Sequence, residues 1–326
     1  MGNTFEETLE WLLIEDHGVM AKTKDGEMVG YLFFASPIEN LFGLRDGAYA
    51  PLGGTWVKPD LPSKDRKRIM TNLLSYQLDK LSQSDITSFA IDTFSKDKDI
   101  TETLTFSGFG ICKACSILEI KDKAPFTTDI TSRTAINSQS AASSSAGINS
   151  QSAASSSAGI NSQSGPITIS ELEYSTKNKE KIFTLIEELS LHLLKSPCFK
   201  VIDMAEYSRQ FSEDYSDRTK RVFIAKQNEE IIAMLTLTKA GENHVSCAED
   251  VINISDMFVK EEFRGTKIAQ KLVAYVYDIA KDEGNKFLAV EYETTNLIAA
   301  NFWSKYFSPY AFTFARKIDE RIMKWH

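Results

Sequence analysis

The stretch VKEEFRGTKIAQKLV, Val259 to Val273, decides the fold. It follows the apolar run VINISDMF, passes through Arg264 and Gly265, and then places Ile268, Leu272, Val276 and Ile279 at a helical interval before Gly284. That pattern reads as a strand handing over to a helix through an Arg-Gly turn. The first turn of a helix leaves four amides without intrahelical partners and carries the positive end of the macrodipole, so such a turn is suited to an anion. The ligand expected here is phosphorylated.

Working outward, NKEKIFTLIEELSLHLLK puts Ile182, Leu185, Ile186, Leu189, Leu193 and Leu194 on one helical face. RVFIAKQNEEIIAMLTLTK reads as a hairpin around the polar turn Gln227 to Glu230. After the central helix come a strand KFLAVEYE, a helix NLIAANFWSKY and a last strand YAFTFARKI. A hairpin followed by strand, helix, strand, helix and strand predicts a mixed sheet flanked by helices.

The first half repeats this order. VMAKTKDGEMVGYLFFA is a hairpin around Asp25-Gly26, GAYAPLGGTWV is read as one strand, and RKRIMTNLLSYQLDKL as an amphipathic helix. ITSFAIDTF, TETLTFSGFG and ICKACSILEI then read as strand, helix or turn, and strand. Between the halves, INSQSAASSSAG occurs at 136–147 and again at 148–159. This segment is nearly uncharged and has no apolar face whose burial would offset the entropy of ordering it, so it reads as a tether. The expected organisation is 1–125 as one domain, 126–165 as linker and 166–326 as a second domain. The expected fold class is α/β (α+β), each domain a mixed, mostly antiparallel sheet with flanking helices.

Composition sets the outer limits. With 326 residues, 42% hydrophobic and 25% charged, the chain has material for two moderate cores. A net charge of −8 argues against a polyanionic partner, so no nucleic acid is expected. No apolar run approaches a membrane span, and MGNTFEETLEWLL lacks the basic start of a signal peptide. Glu6 stands where a myristoylation motif needs Ser or Thr. A cytoplasmic protein without membrane contact, monomeric or homodimeric, is the expectation. The four cysteines are few, and Cys112 and Cys115 of CKAC, three apart in a strand, point to opposite faces and read as packing thiols. His17, His192, His244 and His326 are scattered, so no metal set is expected.

Two blocks together resemble the GNAT superfamily of acyl-CoA-dependent N-acetyltransferases. RGTKIA is similar to that family's pyrophosphate loop, Arg/Gln-x-x-Gly-x-Gly/Ala, with Arg264 and Ala269 in register and Lys267 where glycine is expected. NLIAANFWSKYF looks like its Asn-x-x-Ala-x-x-Phe/Leu-Tyr-x-Lys signature, matched by Asn296, Ala299, Phe302 and Lys305, with Trp303 in the tyrosine's place. The resemblance covers about Ile167 to Ile322 and implies an acetyl-CoA cosubstrate. It implies contacts from Arg264, Gly265, Thr266, Lys267, Ile268 and Ala269 to the pyrophosphate, and from Met257, Phe258 and Val259 to the pantetheine arm. In the first half the same register puts Asp65, Arg68 and Met70 at the loop's key positions, which predicts a degenerate copy.

The reaction so implied needs an amine made neutral and a proton for the departing thiolate. Glu291, in LAVEYETTN, matches a glutamate that some GNAT members use as general base, with Glu293 two residues on and on the same face. Tyr306 and Tyr310 are the phenols near Trp303 in sequence. The acceptor is expected to be an amine-bearing small molecule or peptide. The alternative is a non-catalytic acyl-CoA- or ligand-binding protein in which Lys267 and Trp303 have ended turnover.

Overall fold

The computed structural model describes residues 4, 6–8, 10, 18–41, 45–126 and 165–324. The repeats and nearly all of the linker lie outside these residues. The first half supplies β1 (Gly18–Lys22), β2 (Met28–Phe33), β3 (Ala35–Leu41), β4 (Arg45–Ala50) and β5 (Thr55–Val57). Helix α1 (Ser63–Ser82), β6 (Ser88–Phe94), α2 (Lys98–Phe106) and β7 (Gly110–Glu119) follow. The second half begins with β8 (Ile167–Glu171), α3 (Thr176–Leu193), α4 (Met204–Ser216), β9 (Lys220–Gln227), β10 (Glu230–Thr238) and β11 (Val251–Val259). It ends with α5 (Ile268–Asp282), β12 (Phe287–Glu293), α6 (Leu297–Trp303) and β13 (Ser308–Lys317).

Two readings of the sequence are corrected. GAYAPLGGTWV is not one strand: Pro51 cannot donate to a ladder, and Gly53 at φ +93 reverses the chain. Its two ends join different sheets, β4 pairing with β3 and β6 while β5 pairs with β2. Helix α4 is a further element, beyond those expected from the sequence. Asp203 caps it, accepting from Ala205 and Glu206, and it buries Phe211 and Tyr215.

The sheet order explains how the halves are joined. A three-stranded sheet runs β1-β2-β5, and a ten-stranded sheet runs β3-β4-β6-β13-β7-β12-β11-β10-β9-β8. The last strand of the second half, β13, therefore lies between β6 and β7 of the first. In exchange, β7 lies between β13 and β12. Among the described residues the parallel pairs are β4–β6 and β11–β12, bridged by α1 and α5 respectively. Register makes the two units correspond: Asp92 faces Thr313 on β13 as Glu291 faces Cys115 on β7.

Packing follows from the apolar stripes. On one face of the second half's sheet, α5 buries Leu272, Val273, Val276 and Tyr277 against Phe223, Leu235 and Leu288. On the other, α3 and α4 bury Ile182, Leu185 and Phe211 with Ile224 and Met234. Each such side chain contributes about 1.5–3 kcal/mol on full burial. The segment after β7 also crosses onto α5. Tyr277 accepts from the Lys121 amide at 2.6 Å, and Phe126 stacks edge-on against Tyr277 at 5.9 Å. No helix among the described residues is long and apolar enough to cross a membrane.

Candidate active site

Strands β11 and β12 pair only from Val251↔Phe287 to Ile254↔Val290, and beyond that point they separate. The other edge of β11 stays paired with β10 out to Ala233↔Val259. Because peptide groups alternate sides along a strand, and Lys260 donates to Ile232, the peptide groups of Met257 and Val259 face the gap. Phe258 does not: its backbone turns to β10, and its ring is buried among α3 and α4 residues.

Across the gap lies the start of α5. A short 3₁₀ turn, Glu261–Phe263, leads into Arg264, Gly265 at φ +78 and Lys267 at φ +65. Lys267 thus adopts the left-handed backbone that glycine favours, at the position where the loop pattern calls for glycine. No side chain caps α5. Among the described residues the amides of Gly265 to Gln270 have no partner, and the first bond is Lys271 to Lys267 O at 3.0 Å. Arg264 spans the loop, donating from Nε to the Val259 carbonyl at 3.1 Å with its guanidinium 5.7 Å from the centre of the Phe258 ring. The conformation is therefore a preformed anion cradle beside an open strand edge.

The gap widens into a cleft of about 600 Å³. Ala299, Trp303 and Asn296 of the α6 region line it, as do Met257, Glu291 and Tyr310. Asn296 caps α6 by accepting from the Ala299 amide at 3.2 Å. Trp303 is 4% exposed. Phe302 packs against Trp303 and Tyr306, and Lys305 is exposed. The two candidate phenols part company here. Tyr306 accepts from Gln270 at 2.6 Å and stacks on Phe126, outside the cleft lining. Tyr310 lines the cleft and donates to Asn243 Oδ1 at 3.2 Å, and its hydroxyl is held well above the ordinary tyrosine range by burial. His192, at the end of α3, is half-buried, and its imidazole is lowered by burial and by Arg264.

Glu291 sits where β12 leaves β11, and its surroundings come from the other half. Its Oε1 is bonded to Lys113, and its Oε2 accepts from the Cys115 thiol at 3.4 Å. Asn243 Nδ2 reaches the same sulfur at 3.8 Å, so a chain of polar contacts runs from Tyr310 through Asn243 and Cys115 to Glu291. Burial pushes the Cys115 thiol up, and the Glu291 carboxylate adds to the effect. Glu293 is paired with Lys200 from the loop between α3 and α4. Beneath lies Asp92, 3% exposed, accepting from Tyr49 at 2.6 Å; burial raises its carboxyl to about 6.

Lys113 and Cys115 were missed as site residues. The signal was there in ICKACSILEI: a lysine in an apolar strand needs a buried partner, and residues two apart share a face. What the sequence could not show is which strand β7 would lie against. Cys112, on the opposite face as expected, donates instead to the Thr313 carbonyl at 3.4 Å.

The chemistry of the first half's loop differs. The Asp65 and Arg66 amides at the start of α1 already donate to Pro62 O at 2.8 and 3.0 Å. Arg66 is held by Asp97 and Asp99, each at 2.7 Å, and Met70 is fully buried. Two of the first-turn amides are thus engaged, and the Arg66 charge is already matched by two carboxylates.

Residues 189–307 match the sequence model of the acetyltransferase (GNAT) family. That span holds the open strand edge, the start of α5 and Glu291, so the match falls on the part of the chain that builds the cleft. No curated protein matches the sequence. The fold is similar to that of a GCN5-related N-acetyltransferase from Sphaerobacter thermophilus, at 10% identity and TM-score 0.51, over 92% of this chain and 80% of that one. Weaker likenesses are to a GCN5-related N-acetyltransferase from Kribbella flavida (10%, TM-score 0.47, 99% of both chains) and to a tandem GNAT protein of the clavulanic acid biosynthesis pathway (13%, TM-score 0.43, 93% and 84%).

Proposed function

We propose that this protein transfers an acetyl group from acetyl-CoA to a primary amine of a small molecule or peptide. The observation that carries the reading is the open edge of β11 beside the uncapped start of α5, with Glu291 at the point of separation. The residues fit the cosubstrate. Free amides at 265–270 and the Arg264 guanidinium suit a pyrophosphate, a Cβ at Gly265 would meet nothing within 4 Å, and the Met257 peptide groups and the Val259 amide face the gap where an amide-bearing arm could pair, the Val259 carbonyl being held by Arg264. Ala299 and Phe302 of α6, its cap Asn296 and Lys305 just beyond its end would flank that arm. Bound acetyl-CoA supplies the activated acyl thioester.

The chain's own residues handle protons. Glu291 accepts one from the acceptor amine, directly or through a water, and Tyr310 is the phenol on the same cleft that can return one to the leaving sulfur. Tyr306 is committed to Gln270. We read 166–326 as the catalytic domain, 126–165 as tether and 1–125 as a degenerate copy whose β7 completes the site. All four cysteines are free thiols, which fits the cytoplasm.

The test is release of free thiol from acetyl-CoA by the full chain across a panel of primary amines. Amine-dependent release is expected, with Glu291→Gln lowering kcat/KM by about 10²–10⁴-fold and part of the loss recovered at higher pH. Binding of acetyl-CoA without release for any amine would support the non-catalytic alternative.

A further inference from the structure

We propose that Lys113, on the strand inserted from the first half, is a positioning residue that keeps the Glu291 carboxylate ionised and aimed into the cleft. The proposal rests on the reading of Glu291 as the base.

Among the described residues, titratable groups from five elements face that carboxylate. From β7 come Lys113 and the Cys115 thiol, from β6 the Asp92 carboxyl, from β4 the Tyr49 phenol, from the segment after β10 the Glu242 carboxyl, and from β13 the Tyr310 phenol. On its own strand Glu293 is already tied to Lys200. Lys113 is thus the one cation in contact with Glu291 among the described residues, and the two side chains are 22% and 24% exposed. Asp92 and Glu242 bring like charge, which disfavours a second carboxylate. Without Lys113, Glu291 would be left partly buried beside two other carboxyls with no cation in contact, an arrangement that favours a protonated acid. Protonated, it cannot accept one from an amine.

Geometry adds aim to charge. Lys113 lies diagonally across from Glu291, and Cys115 lies directly opposite it. One oxygen is held from each, leaving the remaining lone pairs for the acceptor. Burial alone would lower the Lys113 ammonium, yet it is raised, because attraction to Glu291 outweighs burial. The strand exchange therefore supplies the cation that pairs with Glu291.

The experiment is a carbon-13 titration of the full chain carrying δ-carboxyl-labelled glutamate, with Glu291→Gln to assign the resonance. In Lys113→Met the Glu291 midpoint is expected to rise by at least about one pH unit, and in Lys113→Arg to return close to that of the unsubstituted protein. The acidic limb of kcat/KM is expected to move by the same amount, so that turnover on that limb falls about tenfold or more while acetyl-CoA binding is unchanged. If Lys113→Met fails to fold, Lys113→Gln removes the charge and keeps a donor. A midpoint unmoved in the neutral variants overturns the proposal even when Glu291→Gln is inactive. A midpoint that moves while Glu291→Gln stays fully active supports the coupling and removes Glu291 as base.

Discussion

Lys267 shows how a single position can depart from a pattern and keep its geometry. Its backbone is left-handed at φ +65, ψ +8, a conformation that costs a side-chain-bearing residue roughly 1–2 kcal/mol. The exposed lysine therefore preserves the turn, and its cation sits at a site suited to phosphate. Arg264 does two jobs, tying the loop to Val259 and presenting charge to the same site. Arg264→Ala is expected to weaken acetyl-CoA binding by about 1.5–3 kcal/mol, measured by calorimetry. Asp92 gives a prediction of opposite sense. Its carboxyl is raised from 3.8 to about 6, so the folded state binds its proton more tightly than the unfolded state does. Stability is thus lost as pH rises from about 4 through 6, up to about 3 kcal/mol at about 1.4 kcal/mol per unit. Asp92→Asn, which cannot ionise, is expected to gain on the parent protein over that window in denaturant titrations; a constant difference between the two would show that Asp92 does not titrate there. At this scale the turn into α5 was legible, because Arg264, Gly265 and the helix start are neighbours in sequence. The Lys113–Glu291 pair was not, because its members are 178 residues apart and meet only through strand order.

At the scale of elements, local signals read well where period and caps agreed. The apolar stripe of α5 appeared as expected, with Ile268, Leu272 and Val276 buried. The hairpin at Gln227 to Glu230 closes through Asn228 and Glu229, both at positive φ, as a two-residue turn between antiparallel strands demands. Helix α4 escaped notice although Tyr207, Phe211 and Tyr215 recur every four residues, because the polar residues between them masked the stripe. The exchange of β7 and β13 was beyond local reading altogether, since either strand would fit its own half by pattern. It has a direct consequence. A chain cut between Gly147 and Ile148 is expected to yield two fragments that co-elute on size exclusion and still bind acetyl-CoA. The 148–326 fragment alone, lacking β7 on one flank of β12, is expected to lose cooperative unfolding. Full binding and a sharp transition from that fragment alone would contradict the exchange.

For the whole molecule, the described residues build a continuous ten-stranded sheet in which each half completes the other, beside a three-stranded sheet of the first half, and a Ser- and Ala-rich segment joins the halves in sequence. Doubling a flexible connection changes its closure entropy by only about 0.6 kcal/mol. Deleting the repeat at 148–159 is therefore expected to leave Tm within about 2–4 °C, and a larger fall in calorimetry would show that the segment packs. The central claim is that one acyl-CoA site, built on the second half and completed by the first, serves the chain. Its most direct test is titration of acetyl-CoA into the full protein by isothermal calorimetry. One site per chain is expected, weakened by Arg264→Ala and unaffected by Glu291→Gln. No heat at millimolar acetyl-CoA, or two equal sites per chain, would contradict it.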